Sequence, residues 1–164
     1  MKKTLMPIAV FGALAAPALA DGYHRGPHDG PVLHADAMAI GHPGSPDLVD
    51  RTIDVSMLDA SDEAMAFDVE ALEIERGETI RFVLTNRGGE PHDFVMATPE
   101  EIAAHRAEMS GMPDMNHEAV YAARVEPGET ATLVWTFANE GAFAFACLIP
   151  GHYEAGMRGR LTVS

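Results

Sequence analysis

From Arg51 to the C-terminus, apolar and polar positions alternate with a period of two in a series of short runs. In "TIDVSML", Ile53, Val55 and Met57 fall on one face; in "TIRFVL", Ile80, Phe82 and Leu84 do. "LVWTF" aligns Leu133, Trp135 and Phe137, and "RLTV" aligns Leu161 and Val163. A pleated chain with this pattern buries one face and wets the other. The runs are separated by "ERGE", "NRGGE", "EPGE" and "ANEG", whose Gly, Pro and Asn suit chain reversals. Short strands at this spacing predict an all-β chain, a Greek-key β-sandwich.

One helix interrupts the strands. In "TPEEIAAHRAEM", Thr98 serves as N-cap, Pro99 as the first helical residue and Glu101 as the reciprocal capping partner. The helix should end near Met109, before "SGMPDM". Upstream of Arg51 the alternation lapses. Residues 21–50 are rich in Gly, Pro, Asp and His, which predicts a flexible tail.

Residues 1–20, "MKKTLMPIAVFGALAAPALA", combine a basic start, an apolar run and a small-residue end. They have the form of a secretory signal cleaved after Ala20, and the apolar run is too short to span a bilayer. The expected organisation is therefore a signal (1–20), a His-rich tail (21–50) and one domain (51–164), with the periplasm as destination and no membrane insertion.

The chain carries a formal net charge of −14. Cleavage would remove Lys2 and Lys3 and no acid, giving −14 − 2, or about −16 with neutral histidines. Such a surface disfavours nucleic acid and anionic lipid and suits metal cations or basic proteins. The single cysteine, Cys147, excludes an internal disulfide. In an oxidising compartment a lone thiol is buried, paired with another chain, reactive or metal-bound.

Parity sharpens that choice. In "AFAFAC", Phe143, Phe145 and Cys147 share a face, so the thiol should point inward at a strand end. "LIPGHYEAGM" then turns back, allowing His152 and Met157 to approach the sulfur. In "PHDFVM", His92, Phe94 and Met96 share a face, which puts a second imidazole at an inward strand end. Two imidazoles, a thiolate and a weak thioether are the trigonal ligand set of an electron-transfer copper site. Zinc could use two His and one Cys, but a positioned methionine argues for copper. Taken singly, Cys147 reads as a core thiol, His92 as a satisfied buried imidazole and Met157 as a gap filler. A nucleophilic cysteine with His as base is the sharper rival, but the sequence offers it no orienting third residue.

With "PHDF" and "CLIPGHYEAGM" in place, residues from about 51 to 164 resemble the cupredoxins, single-domain type 1 copper proteins. The resemblance implies His92, Cys147, His152 and Met157 as ligands of one copper. It also implies that Pro150 and Gly151 shape the loop and that His152 is the more exposed imidazole, on the electron route. One position departs from the pattern: many cupredoxins follow the first copper histidine with Asn, which ties the ligand loops together, whereas this chain has Asp93.

A second set of donors lies outside that site. "HRAEMSGMPDMNHE" spaces Met109, Met112 and Met115 three apart between His105 and His117, as an insert of exposed methionines. The expected tail adds His24, His28, His34 and His42, with Met38. Thioethers suit Cu(I), and imidazoles suit either oxidation state. Alternatively, the insert is a loop whose methionines cover apolar surface, and the tail is merely solubilising. His24 would be fourth after the expected cleavage, one place too late for an amino-terminal Cu(II) chelate.

Together these segments resemble the periplasmic copper-tolerance cupredoxins of the CopI type, which implies protection against excess copper. Copper ions are then the principal partner, with a periplasmic redox protein or copper-export component beyond them. A second reading is a dedicated electron shuttle. The third is an enzyme, a weak cuprous oxidase or a nitrite-reductase-like protein. Multicopper enzymes, however, need further centres usually built between domains, and this chain has one domain.

Overall fold

The computed structural model describes residues 38–61, 64–111 and 120–164. The expected signal and its cleavage point, His24, His28 and His34 in the tail, and Met112, Met115 and His117 in the insert lie outside the described residues. Among the described residues the strands are β1 (His42–Pro43), β2 (Arg51–Ser61), β3 (Ala64–Phe67), β4 (Ala71–Ile74) and β5 (Thr79–Asn86). They continue as β6 (His92–Ala97), β7 (Ala122–Val125), β8 (Thr130–Thr136), β9 (Gly141–Ala146) and β10 (Arg158–Val163), with a helix, α1 (Pro99–Gly111), between β6 and β7.

Each alternating run is a strand with its apolar parity turned inward. One sheet has the order β1-β8-β5-β2-β3 and the other β4-β10-β9-β6-β7. Pairing is antiparallel except for β2 with β5 and β4 with β10. The crossovers this requires give the sandwich its non-sequential strand order. Val55, Met57, Ile80, Phe82, Leu84, Trp135 and Phe137 from the first sheet meet Phe94, Met96, Phe143, Phe145, Leu161 and Val163 from the second in one core. Phe94 stacks on Phe145 at 5.4 Å, and Phe67 meets both rings edge-on. Each fully buried ring contributes about 1.5–3 kcal/mol by leaving water. Their position matters for function: this aromatic floor lies directly behind the ends of β6 and β9.

The expected tail boundary near residue 50 is corrected for residues 38–50. Met38 and Ile40 are buried in the core, and His42 and Pro43 pair with Thr136 and Trp135. Gly44 N–H donates to Val134 O, and Asp50 exchanges bonds with the Thr79 backbone. Burial of Met38 and Ile40 acts with backbone pairing to β8 and β5 to incorporate this segment, and two apolar positions amid Gly, Pro and Asp were too few to signal it.

The capping box of α1 forms as expected. Glu101 N–H donates to Thr98 Oγ1 at 3.2 Å, and Thr98 N–H to Glu101 Oε2 at 2.9 Å. The helix runs to Gly111, slightly past the expected end. Ile102 packs with Val95, Ala97, Ala146 and Leu148, so α1 covers the outer face of β6 and β9. Met109 is buried rather than exposed, because the helix carries it against this face.

Candidate metal centre

Polar side chains at the ends of β2 and β5 build the turn that delivers His92. Asn86 continues the inward parity of Ile80, Phe82 and Leu84, yet it is an amide, and it is buried. Its Nδ2 donates to Glu90 O and Val125 O, and its Oδ1 accepts from Gly88 N–H, so one side chain satisfies the turn's backbone. Asp59 continues the inward parity of Val55 and Met57. Its Oδ2 accepts from Gly89 N–H, and its Oδ1 lies 2.9 Å from His92 Nε2. The Gly89 N–H, and secondarily His92, hold the Asp59 carboxyl below its ordinary value despite partial burial.

The other donors come from the loop after β9. Gly151 adopts φ +92°, a left-handed conformation that glycine tolerates, and His152 N–H closes a turn on Ile149 O. Met157 N–H donates to His152 O, and Cys147 N–H donates to Met157 O. Backbone bonds thus pin both ends of the loop together. Met65 N–H on Ala155 O fastens it to β3, and Arg106 from α1 pairs with Glu154 while stacking on Tyr153 at 3.9 Å.

The result brings three of the expected donors to one point. His92 Nδ1 lies 3.2 Å from His152 Nδ1, and Cys147 Sγ lies 3.4 Å from the latter. All three atoms fall within 4.8 Å of one another. Cys147 and His92 are fully buried, while His152 keeps partial contact with solvent. Met157 is fully buried and bonded through its backbone to both Cys147 and His152. Asp93, the departure from the family pattern, still bonds the cysteine: its backbone N–H donates to Cys147 Sγ at 3.3 Å. Its carboxylate faces Arg124 at 3.7 Å.

Electrostatics test whether a metal fits. Burial pushes the Cys147 thiol up to about 12, only partly opposed by the Asp93 and Ile149 N–H groups. The His152 imidazole is lowered, first by burial and then by the neighbouring His92, which keeps it neutral. A neutral imidazole and a buried sulfur, converging with a second ring nitrogen, are donors awaiting a positive charge. A soft cation bound there displaces the thiol proton and compensates the thiolate. The residues present fit a borderline-soft metal.

The outlying donors behave differently. His42 is exposed on β1, with Nδ1 3.0 Å from Pro43 O. His105 and Met109 line a small cavity with Asp93, Val95, Ala122, Arg124 and Leu148, on the flank of the site. Met38 belongs to the core. Sequence reasoning overlooked Asp59 and Asn86. Their signal was available: each is a polar residue at the last inward position of an otherwise apolar strand face.

Comparison with known proteins agrees with this geometry. Residues 54–164 match the family model of copper binding proteins, the plastocyanin/azurin family. A copper-resistant cuproprotein CopI of Rubrivivax gelatinosus is 40% identical over 163 residues, covering 99% of this chain and 96% of that protein. The copper-resistant cuproprotein CopI of Pseudomonas aeruginosa is 35% identical, covering 79% of this chain and 84% of its own. The crystal structure of dithionite-reduced auracyanin from Roseiflexus castenholzii superposes with a TM-score of 0.57 at 28% identity, covering 71% of this chain and 98% of that one. Sandwich topology, convergent His–Cys–His donors and a family match over most of the chain lead to one conclusion: this protein belongs to the plastocyanin/azurin family of copper-binding proteins, and copper is its metal.

Proposed function

We propose that this chain is a periplasmic copper-tolerance protein. In this reading His92, Cys147 and His152 are the close ligands of one type 1 centre, and Met157 is its weak fourth ligand. When bound, copper supplies a one-electron Cu(I)/Cu(II) couple. The protein's part is to hold the thiolate dry against the aromatic floor, to orient both imidazoles through Nδ1, and to leave the His152 edge open to solvent. The observation that carries tolerance is the 40% identity to a copper-resistant cuproprotein across nearly the whole chain, reaching beyond the sandwich into the His- and Met-rich segments. Those segments would bind further copper or hand it on: His24, His28, His34 and His42 in the N-terminal region, and His105, Met109, Met112, Met115 and His117 around the insert. The form of residues 1–20 supports export, and no helix among the described residues is long and apolar enough to cross a membrane.

Two measurements test the reading. Deleting the gene should make cells copper-sensitive; unchanged growth in copper, with no redundant system present, would sink it. Copper titration of the mature protein should give an intense thiolate-to-copper absorption band, which Cys147→Ser should abolish. Persistence of the band in that variant would disprove the ligand set.

An electron shuttle is the second reading, favoured by the partial exposure of His152 and by the acidic Asp59 and Glu90 near it. Fast, salt-sensitive electron exchange with a basic periplasmic redox protein, independent of the His/Met segments, would favour it over tolerance.

A further inference from the structure

His92 is fully buried, and both of its ring nitrogens are committed. Nδ1 points at Cys147 and His152, and Nε2 points at the Asp59 carboxylate, 2.9 Å away. A carboxylate at this distance accepts a hydrogen bond, so the ring proton sits on Nε2 and Nδ1 keeps its lone pair. The approach of Asp59 is built into the turn. Its second oxygen takes the Gly89 N–H, and a Cβ on Gly88 would stand 2.4 Å from Asp59 Oδ1, so only glycine lets the carboxylate lie there. The β2–β3 register also shifts between Asp59 and Ser61, a local irregularity at the strand end that carries this side chain.

We propose that Asp59 is a positioning residue for the metal centre, one that fixes the His92 tautomer and strengthens Nδ1 as a donor so that Cu(II) is favoured over Cu(I). This rests on His92 being a copper ligand, as proposed above. A carboxylate accepting a ring N–H pushes electron density toward the opposite nitrogen, and a harder, more basic donor suits the higher oxidation state. The residue therefore sets the reduction potential without touching the metal.

The test uses copper-loaded protein and two variants, Asp59→Asn and Asp59→Ala, with reduction potential, Cu(II) affinity and absorption spectrum measured together. Loss of such a partner costs about 10- to 100-fold in metal affinity. If the loss falls on Cu(II), a tenfold change raises the potential by about 59 mV for one electron. Asp59→Asn should raise the potential with the thiolate band retained, and Asp59→Ala should raise it at least as far. A separate readout needs no variant: nitrogen NMR of wild-type apoprotein should show His92 as the Nε2–H tautomer. An Nδ1–H tautomer, or unchanged potential and affinity in both variants with the band intact, would overturn the proposal and leave Asp59 a clamp for the 88–90 turn. Absence of the band in the wild type would instead remove the ligand set, and this inference with it.

Discussion

Asn86 shows how much of the site depends on one amide. Asn86→Ala would strip a buried partner from Val125 O and from Glu90 O and Gly88 N–H in the turn above it. The expected cost is about 2–3 kcal/mol in denaturant unfolding of the apoprotein, together with weaker copper binding as His92 loses its support. Glu78 makes a different contribution, at the opposite end of β2 and β5 from Asp59 and Asn86. It accepts from Arg51 Nε and Nη2 and from Glu75 N–H, and the Arg51 bonds chiefly hold its carboxyl below the ordinary 4.5. A depressed carboxyl stabilises the fold above its unfolded value and loses that contribution as pH falls through the folded one. Glu78→Gln should therefore cost about 1 kcal/mol at neutral pH, with Arg51 half-exposed, and the deficit should shrink as pH falls below the ordinary carboxyl value and vanish once the folded carboxyl is protonated. Thermal melts of both proteins across pH would show it. At this scale the sequence was informative wherever parity ended in chemistry. Cys147 and His92 were found because Phe143, Phe145, Phe94 and Met96 fixed their faces. Asp59 and Asn86 obey the same parity, but a charge or amide beyond an apolar run looks like the end of the strand.

Among the elements, β9 and β10 are matched through a missing side chain. Gly159 pairs with Phe145, and a Cβ at Gly159 would lie 2.1 Å from the phenyl ring. Gly159→Ala must push Phe145 into Phe67 and Phe94, overpacking the floor of the metal centre. A loss of about 1–3 kcal/mol in chemical denaturation is expected, with a shifted thiolate band in the copper form. The long strands β2, β5 and β8 were legible because three alternating positions fix a period, while β10 rested on two, Leu161 and Val163. The strands β3, β4 and β7 have four residues each, too few to separate a period of two from chance, and β7 turns only Val125 fully inward. The two-residue β1 carries no periodic signal and exists because β8 offers it an edge. Helix α1 was legible from its cap, whereas its role as a cover for β6 and β9 depends on tertiary placement of Ile102 and Met109.

For the whole molecule, the centre ties together parts far apart in sequence: β6 supplies His92, the end of β9 supplies Cys147, and the following loop supplies His152. An ion that binds these donors only in the folded state adds stability by mass action, about 2.7 kcal/mol at a hundredfold excess over Kd. Copper should therefore raise the melting temperature of the wild-type protein and leave Cys147→Ser nearly unmoved, as calorimetry with and without a chelator would show. The loop is also closed before any ion arrives, since the Cys147–Met157 backbone bond needs no metal. With His92 and Cys147 sealed from solvent, His152 is the one donor of the three at the doorway. Copper approaching from solvent would therefore meet the His152 imidazole before the buried thiol. Under the proposed function, the face where His152 stands would be the place at which copper is taken up and given up.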